Sequence, residues 1–209
     1  MNFDLIQTLY ILPGIIIGFT FHEFAHAQVA VWLGDDTPRL QGRLSLNPRV
    51  HIDIIGLILI IFARFGWAKP VEVNPNNFKN KTRDDILVSL AGPVMNILVA
   101  ICFFILVRVV GLIPGTILEA GTATILADIL DYGAYMNVVL AVFNLVPVPP
   151  LDGSSILFGL LGWRYREIYY RLQQMSWIIL LVLIFTGIIS FIIGPPIMFI
   201  YSVLSSIFY

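Results

Sequence analysis

Two histidines and a glutamate lie close together in the first apolar segment of the chain, within the sequence HEFAH at residues 22–26. His22 and His26 are four residues apart, so on an α-helix they share one face and can bind the same metal ion. Glu23 lies on the same turn, where a carboxylate can take a proton from an attacking water and deliver it to a leaving amine. This HExxH pattern is typical of zinc hydrolases, and it predicts a metal site with Glu23 as the general base.

The surroundings of this motif are those of a membrane protein. The chain has 209 residues, of which 58% are hydrophobic and 12% are charged, and its mean hydropathy is +0.90. Ionisable residues are expensive inside a bilayer and mark functional sites there, which favours a metal site over a chance match. If the first helix ends near Gly34, His22 lies about 18 Å from that end. A site at this depth is expected to act on substrates that are themselves in the membrane.

A third metal ligand is expected from the segment VPVPPLDGSS, because two histidines leave zinc short of the usual three protein ligands. Asp152 is the only carboxylate between Asp131 and Glu167. The three prolines before it prevent a regular helix, and irregular backbone at membrane depth is tolerated only where protein or a water-filled cavity covers it. The alternative is a plain turn, for which Leu-Asp-Gly is a common sequence.

Two further polar positions lie in apolar segments. Asn144 precedes Asp152 by eight residues, and its amide could donate to a substrate carbonyl or an oxyanion, or else form a hydrogen bond between helices. The sequence SLAGPVMN, at residues 89–96, combines small residues with Pro93 and Asn96. Taken alone it is typical of close helix packing, with Asn96 facing inward.

The elements that must position these residues are apolar stretches long enough, or nearly so, to cross a bilayer, which requires about 20 residues. They are approximately Leu5–Leu33, Ile86–Val110, Tyr132–Val148 (with the third core helix extending toward residue 155) and Ser176–Tyr209. The last stretch contains GPP at residues 194–196, which predicts either a kinked helix or a helix followed by a re-entrant piece. The run Ile54–Phe62 is too short to span and favours a re-entrant or interfacial hairpin.

Charge predicts the orientation of these segments. Eight of the 12 basic residues lie between Gly34 and Asp85, and three more lie in residues 162–174. The connection from Gly111 to Asp131 contains acidic residues but no Lys or Arg. The positive-inside rule therefore predicts cytoplasmic basic loops and an N-terminus outside a cell membrane. The N-terminal residues lack the features of a signal peptide, so we expect the first apolar segment to be retained. A net charge of -1 argues against a nucleic-acid partner, because phosphate binding requires a basic surface.

The motifs HEFAH, GPVMN and NLVPVPPLDG, in this order and all in hydrophobic segments, strongly resemble the site-2 protease family of intramembrane zinc metalloproteases. The loop sequences GRLSLNPRVHIDIIG and GWAKPVEVNPNNF add to the resemblance, which covers approximately residues 18–155. The resemblance is to the small bacterial and archaeal members, because no stretch between the core helices is long enough for a PDZ domain. Regulation by a PDZ or CBS-type domain is therefore not expected.

The resemblance implies an all-α polytopic membrane protein of about four to six transmembrane or re-entrant segments, in which three core helices carry the zinc site. It implies that His22, His26 and Asp152 bind one Zn²⁺ per chain, that Glu23 is the general base, and that Asn144 positions substrate or stabilises the oxyanion. We therefore expect residues 1–209 to form a single metalloprotease domain that cleaves transmembrane protein substrates in regulated intramembrane proteolysis.

Several alternatives stay open on the sequence. The segment Trp67–Val73 is expected either to guide an extended substrate by strand addition or to cover the site. His51 is expected to be a supporting polar residue rather than a metal ligand. A zinc transporter, a metal chaperone or an inactive substrate-binding relative would also contain such a metal site, although none of these needs Glu23. Nothing in the sequence identifies what encloses the site laterally, which leaves a homo-oligomer open.

Overall fold

The architecture is taken from a computed structural model, which describes residues 5–63 and 66–208. The N-terminal residues 1–4, which we predict to lie outside the cell, are not among them. The described residues form ten α-helices, namely α1 (Leu5–Trp32), α2 (Thr37–Leu40), α3 (Pro48–His51), α4 (Ile54–Ala63), α5 (Lys81–Gly111), α6 (Ala120–Asn144), α7 (Asp152–Leu161), α8 (Arg166–Gln174), α9 (Ser176–Phe185) and α10 (Ile188–Phe208).

Four of these helices, α1, α5, α6 and α10, are long and apolar enough to cross a membrane. A fifth span results if the bent pair α8 and α9, whose axes differ by 66°, counts as one. The predicted all-α polytopic class is therefore confirmed.

Helices α1, α5 and α6 pack against one another and form the centre of the described structure. Glycines bring α1 and α6 into close contact, because a Cβ on Gly14 would collide with the backbone of Gly133. Next to this contact, the apolar side chains of Phe103 and Phe104 on α5 pack around Ala134 on α6. This close packing lets short polar side chains on one helix reach the backbone of the next.

Three predicted boundaries differ from the structure. Helix α6 begins at Ala120 rather than near Tyr132, so part of the connection predicted as an acidic loop is helical. It ends at Asn144, before the prolines, and a separate helix α7 begins at Asp152. In the C-terminal stretch, Pro195 and Pro196 lie inside the continuous helix α10, and the break falls at Gly187.

The conformation of Gly187 explains the break between α9 and α10. Its φ of 75° is the left-handed conformation that commonly terminates a helix after its last turn. The prolines are accommodated because membrane helices tolerate them where neighbouring groups satisfy the freed backbone. Of the two alternatives predicted for residues 194–196, the helix followed by a re-entrant piece is therefore wrong.

The connection between α1 and α5 is held to the end of α1 by one buried carboxylate. Asp35 has no exposed surface and accepts hydrogen bonds from Thr37, Asn74 and Asn77 at 2.6–3.1 Å. Burial raises the pKa of Asp35, but these hydrogen bonds outweigh burial and hold its pKa below the ordinary value. The two halves of the connection, before and after α4, are thus tied to one point.

The short apolar run in this connection is helix α4, flanked by a single antiparallel bridge between Ile52 and Ala68. The hairpin predicted here is therefore a helix between two extended segments. The guanidinium of Arg43 donates to the backbone carbonyls of Lys69 and Pro70, and the Lys69 N–H donates to the His51 carbonyl at 2.8 Å. These bonds tie the segment Trp67–Val73 to the first half of the connection, and the N–H of Val71 donates to Glu23 on α1.

Candidate metal centre

Three side chains predicted as ligands meet at one point between α1 and the start of α7. The Nε2 atoms of His22 and His26 are 2.9 Å apart, and the Asp152 Oδ2 atom lies 3.2 Å from the first and 3.4 Å from the second. Ligand atoms around tetrahedral zinc, at bond lengths of about 2.0–2.2 Å, are about 3.3–3.6 Å apart. Within the described part of the chain, this is the one group of three potential metal-binding side chains.

Hydrogen bonds determine which nitrogen of each imidazole is free for a metal. His22 Nδ1 lies 2.6 Å from the Asn96 Oδ1 atom, and His26 Nδ1 lies 2.7 Å from the Val88 carbonyl. Both partners are acceptors, so both Nδ1 atoms are the protonated ones, and both Nε2 atoms carry lone pairs. Second partners of this kind are typical of metal-binding histidines.

The arrangement is unfavourable unless a cation lies between these atoms. Two lone pairs and a carboxylate oxygen face one another, and the Asp152 Oδ2 atom is buried without a hydrogen-bond partner. Unsatisfied buried polar atoms are costly, and a metal ion would satisfy all three acceptors at once. The donor set, two imidazoles and one carboxylate, is one that catalytic zinc uses. The residues present therefore fit the metal that the sequence predicts.

Gly92 on α5 forms the wall against which both imidazoles pack. A Cβ at this position would lie 2.5 Å from the His22 Cε1 and His26 Nε2 atoms and 2.6 Å from His22 Nε2. Our interpretation of SLAGPVMN as packing is therefore incomplete, because the contact made by this glycine is with the metal-binding side chains. Asn96 faces inward, as expected, and has no exposed surface.

Glu23 lies in a cavity of ≈ 340 Å³ that also borders His22 and Asn144. Its Oε2 atom accepts a hydrogen bond of 2.8 Å from the backbone N–H of Val71, in the segment Trp67–Val73. The other walls of the cavity are mainly apolar and include Phe19, Trp67, Leu140, Phe143, Trp177 and Leu180. A nearly buried carboxylate beside the metal-binding face of α1, in a space large enough for side chains, suits a general base.

The amide of Asn144 lies in the same cavity as Glu23. Its Nδ2 donates to the Leu140 carbonyl at 2.9 Å, which leaves its second N–H for another acceptor.

His51 is buried in the connection between α1 and α5, where its Nε2 lies 2.7 Å from the Ser45 carbonyl. Burial lowers the pKa of His51, and the charge of Arg43 lowers it further. His51 is not one of the three converging groups, as we expected.

One polar residue of this centre was missed on the sequence. Asn137 on α6 has no exposed surface, and its Oδ1 atom accepts a hydrogen bond of 3.0 Å from Asn96. A signal for it exists in the spacing of Gly14 and Gly18, which is the small-xxx-small pattern of close helix approach. A Cβ on Gly18 would lie 2.7 Å from Asn137 Oδ1, so this glycine gives the amide access to α1.

Comparisons with known proteins point to the same chemistry. A sequence model described as peptidase family M50 matches residues 109–187. A protein named "Putative zinc metalloprotease YwhC" from Bacillus subtilis (strain 168) is 42% identical over 187 residues, which is 89% of this chain and 84% of the relative. MJ0611 from Methanocaldococcus jannaschii, with the same description, is 30% identical over 75% of this chain and 73% of its own length.

A relative from Mycobacterium tuberculosis (strain ATCC 25618 / H37Rv), Rip2, also has this description and is 29% identical over 83% of this chain and 65% of its own length. No solved structure matches the chain.

Proposed function

Because the chain belongs to peptidase family M50 and is an intramembrane zinc metalloprotease, we propose that His22, His26 and Asp152 bind one Zn²⁺ per chain and that Glu23 is the general base. The observation that carries this proposal is the convergence of three acceptor atoms at 2.9–3.4 Å, with both imidazole Nδ1 atoms engaged elsewhere. When bound, Zn²⁺ supplies a Lewis acid that polarises a peptide carbonyl and makes a water molecule acidic near neutral pH.

Glu23 has the position that proton transfer requires. Its carboxylate borders the cavity next to His22, so it can accept a proton from a water that attacks a peptide carbonyl there. It then returns the proton to the nitrogen of the leaving amine. The hydrogen bond from the Val71 N–H holds Glu23 Oε2 in one orientation. We propose that Asn144 donates its second amide hydrogen to the substrate carbonyl or to the oxyanion that develops from it.

The substrates that we propose are transmembrane segments of other proteins. The cavity walls are mainly apolar, and His22 lies about 15 Å from the end of α1 at Trp32, which would place the site at membrane depth. An intact substrate helix uses its carbonyls in its own hydrogen bonds, so it must unwind locally before attack. Helix-breaking residues near the scissile bond are therefore expected to favour cleavage.

We propose that the segment Trp67–Val73 covers the site rather than adding a substrate strand along its whole length. Much of its backbone is already engaged, because Lys69 donates to His51, Val71 donates to Glu23, and the Lys69 and Pro70 carbonyls accept from Arg43. A substrate strand would compete with these bonds. Release of the segment from Glu23 and Arg43 would open the cavity to an extended peptide.

The membrane topology that we propose follows from charge. The basic connection between α1 and α5 and the basic residues at 162–174 lie in the cytoplasm, and the connection between α5 and α6 lies outside a cell membrane. We propose that residues 1–209 act as a single domain in this multi-pass arrangement.

The test compares the wild type with Glu23→Gln in detergent, on a fluorogenic peptide built from a transmembrane helix that contains Gly and Pro. The matched control is Glu119→Gln, the same change at an exposed position before α6 where the side chain makes no capping hydrogen bond. We expect about one zinc per chain in all three proteins and cleavage in all but Glu23→Gln. Zinc retained with no cleavage by the wild type on several such helices would favour a non-hydrolytic zinc protein.

A further inference from the structure

A chain of two buried amides connects His22 to the backbone of α1 and α6. The Asn96 side chain on α5 lies between His22 and Asn137, with 2.6 Å from its Oδ1 to His22 Nδ1 and 3.0 Å from its Nδ2 to Asn137 Oδ1. Neither asparagine has any exposed surface. The amides therefore have no water with which to exchange partners, and their orientation depends on the protein groups around them.

The orientation of Asn137 is fixed by groups that can only accept. Its Nδ2 atom donates to the Gly14 carbonyl at 3.1 Å and to the Gly133 carbonyl at 2.9 Å. Backbone carbonyls have no hydrogen to donate, so the nitrogen of this amide must face them. The Oδ1 atom of Asn137 consequently faces Asn96 as an acceptor.

Two acceptors, Asn137 Oδ1 and one backbone carbonyl, set the orientation of Asn96. Its Nδ2 donates to Asn137 Oδ1 and, at 3.1 Å, to the Gly18 carbonyl, so its two amide hydrogens are both used on acceptors. Only its Oδ1 atom is left to face His22. The imidazole must then carry its proton on Nδ1, which leaves the Nε2 lone pair for the metal.

We propose that Asn137 is a positioning residue that, through Asn96, fixes the tautomer and ring orientation of His22. This inference rests on the proposed function, because it assigns a role toward the metal that His22 binds. If the Asn96 amide turned over, its Nδ2 would face His22 Nδ1, and the tautomer with the proton on Nε2 would be favoured. That tautomer has no lone pair to offer at the metal position.

The use of amides here has a physical reason. Metal-binding histidines commonly donate their other N–H to a carboxylate, a backbone carbonyl or water. A carboxylate at this depth would add a buried charge, which is expensive in a membrane. Two neutral amides give the same directional control, provided that the orientation of the first is fixed by a second.

The experiment measures zinc affinity by competition with a chelator for the wild type, Asn137→Leu, Asn96→Leu and the double variant. Leucine is close to asparagine in size and has no polar atoms. Val138→Ala is the matched control, because Val138 is the next residue on α6 and is fully buried in an apolar cluster. Asn137→Ala is measured in the same way and replaces Asn137→Leu if the latter does not fold.

We expect Asn137→Leu to weaken zinc binding roughly 10- to 100-fold, which is typical for loss of a supporting hydrogen bond to a metal ligand. We expect Val138→Ala to lower the melting temperature without this loss of affinity. Because Asn137 acts through Asn96, adding Asn137→Leu to Asn96→Leu should cause no further loss. Two independent effects would instead multiply.

A second readout does not depend on zinc. ¹⁵N NMR of labelled histidine in the metal-free protein, at a pH high enough to keep the imidazoles neutral, reports which nitrogen of His22 is protonated, and the chain has only three histidines to assign. The wild type should show the Nδ1-protonated form, and Asn137→Leu a mixture of tautomers. A wild type that binds no zinc would contradict the proposed metal site, but this measurement would still test the role of Asn137.

Three results would overturn the inference. Folded Asn137→Leu, or its alanine replacement, could bind zinc as tightly as the wild type with the His22 tautomer unchanged. Val138→Ala could lose as much affinity, which would indicate a merely structural effect. The effects of Asn96→Leu and Asn137→Leu could multiply, which would mean that Asn137 does not act through Asn96.

Discussion

Replacing Gly92 by alanine is expected to remove zinc binding while leaving the fold intact. The added Cβ would lie 2.5–2.6 Å from atoms of His22 and His26, whereas ordinary contact begins at 3.4 Å. The rings would have to move by about 1 Å to relieve this contact. Zinc–ligand distances tolerate deviations of only about 0.2 Å, so the moved rings could not hold the metal in the same way. We expect zinc affinity to fall by at least about 100-fold, which corresponds to about 2.7 kcal/mol.

The change should not damage helix α5 itself. Alanine is favoured over glycine in a helix interior by about 0.5–1 kcal/mol, so the backbone of α5 gains stability. The control is Gly111→Ala, because Gly111 lies at the end of the same helix and a Cβ there would meet nothing within 4 Å. Zinc content and affinity are measured after purification, with helicity by circular dichroism and cleavage of the transmembrane peptide as further readouts.

We expect Gly92→Ala to be helical, monodisperse and free of zinc, and Gly111→Ala to match the wild type in every assay. A Gly92→Ala protein with wild-type zinc affinity and activity would refute the reasoning. It would mean that α5 or the histidine rings can shift without cost, and that the contact with Gly92 does not position the ligands.

Three further predictions concern contacts away from the metal. Asp35→Asn should lower the free energy of unfolding by about 1–3 kcal/mol at neutral pH, since the buried acceptor loses its charge-assisted hydrogen bonds. Because the folded-state pKa of Asp35 is depressed, its contribution to the free energy of unfolding is present above about pH 4 and is lost as pH falls through the folded-state pKa. The melting temperatures of wild type and variant should therefore converge in acid. Tyr201→Phe removes the hydroxyl that donates to both carboxylate oxygens of Asp131 at 2.8 Å and should lower the melting temperature with zinc affinity unchanged. Arg43→Met should release the segment Trp67–Val73 and speed its cleavage by an added protease, and equal cleavage rates would contradict the clamping role of Arg43.

The parts of the site that could be predicted from sequence are those with a fixed local spacing or a costly composition. His22 and His26 are one helical turn apart, and ionisable groups in apolar segments are conspicuous. Asp152 stands out because it follows three prolines and has no other carboxylate nearby. The first core helix was also predicted nearly to its ends, as α1 runs from Leu5 to Trp32.

What could not be predicted depends on contacts between helices. Asn137 has unremarkable neighbours along the chain, and Gly92, although it lies in the motif SLAGPVMN, was interpreted only as part of a packing surface. The roles of both arise where α1, α5 and α6 meet. The start of α6 was placed too late because its first turns, with Thr, Gly and Asp, lack a continuous apolar run. The break in the C-terminal stretch was assigned to prolines that a membrane helix accommodates, whereas a single glycine with φ of 75° is the actual boundary.

The location of the metal-binding residues has a consequence for biosynthesis. His22 and His26 lie on the first helix to be made, whereas Asp152 and the α7 helix are made about 126 residues later, which at about 5–20 residues per second is about 6–25 s. Gly92, Asn96 and Asn137 are made within that interval. With His22, His26 and Asp152 as the proposed ligands, the nascent chain holds an incomplete set while α5 and α6 are made, and proteolytic competence is expected only once α6 and α7 have followed.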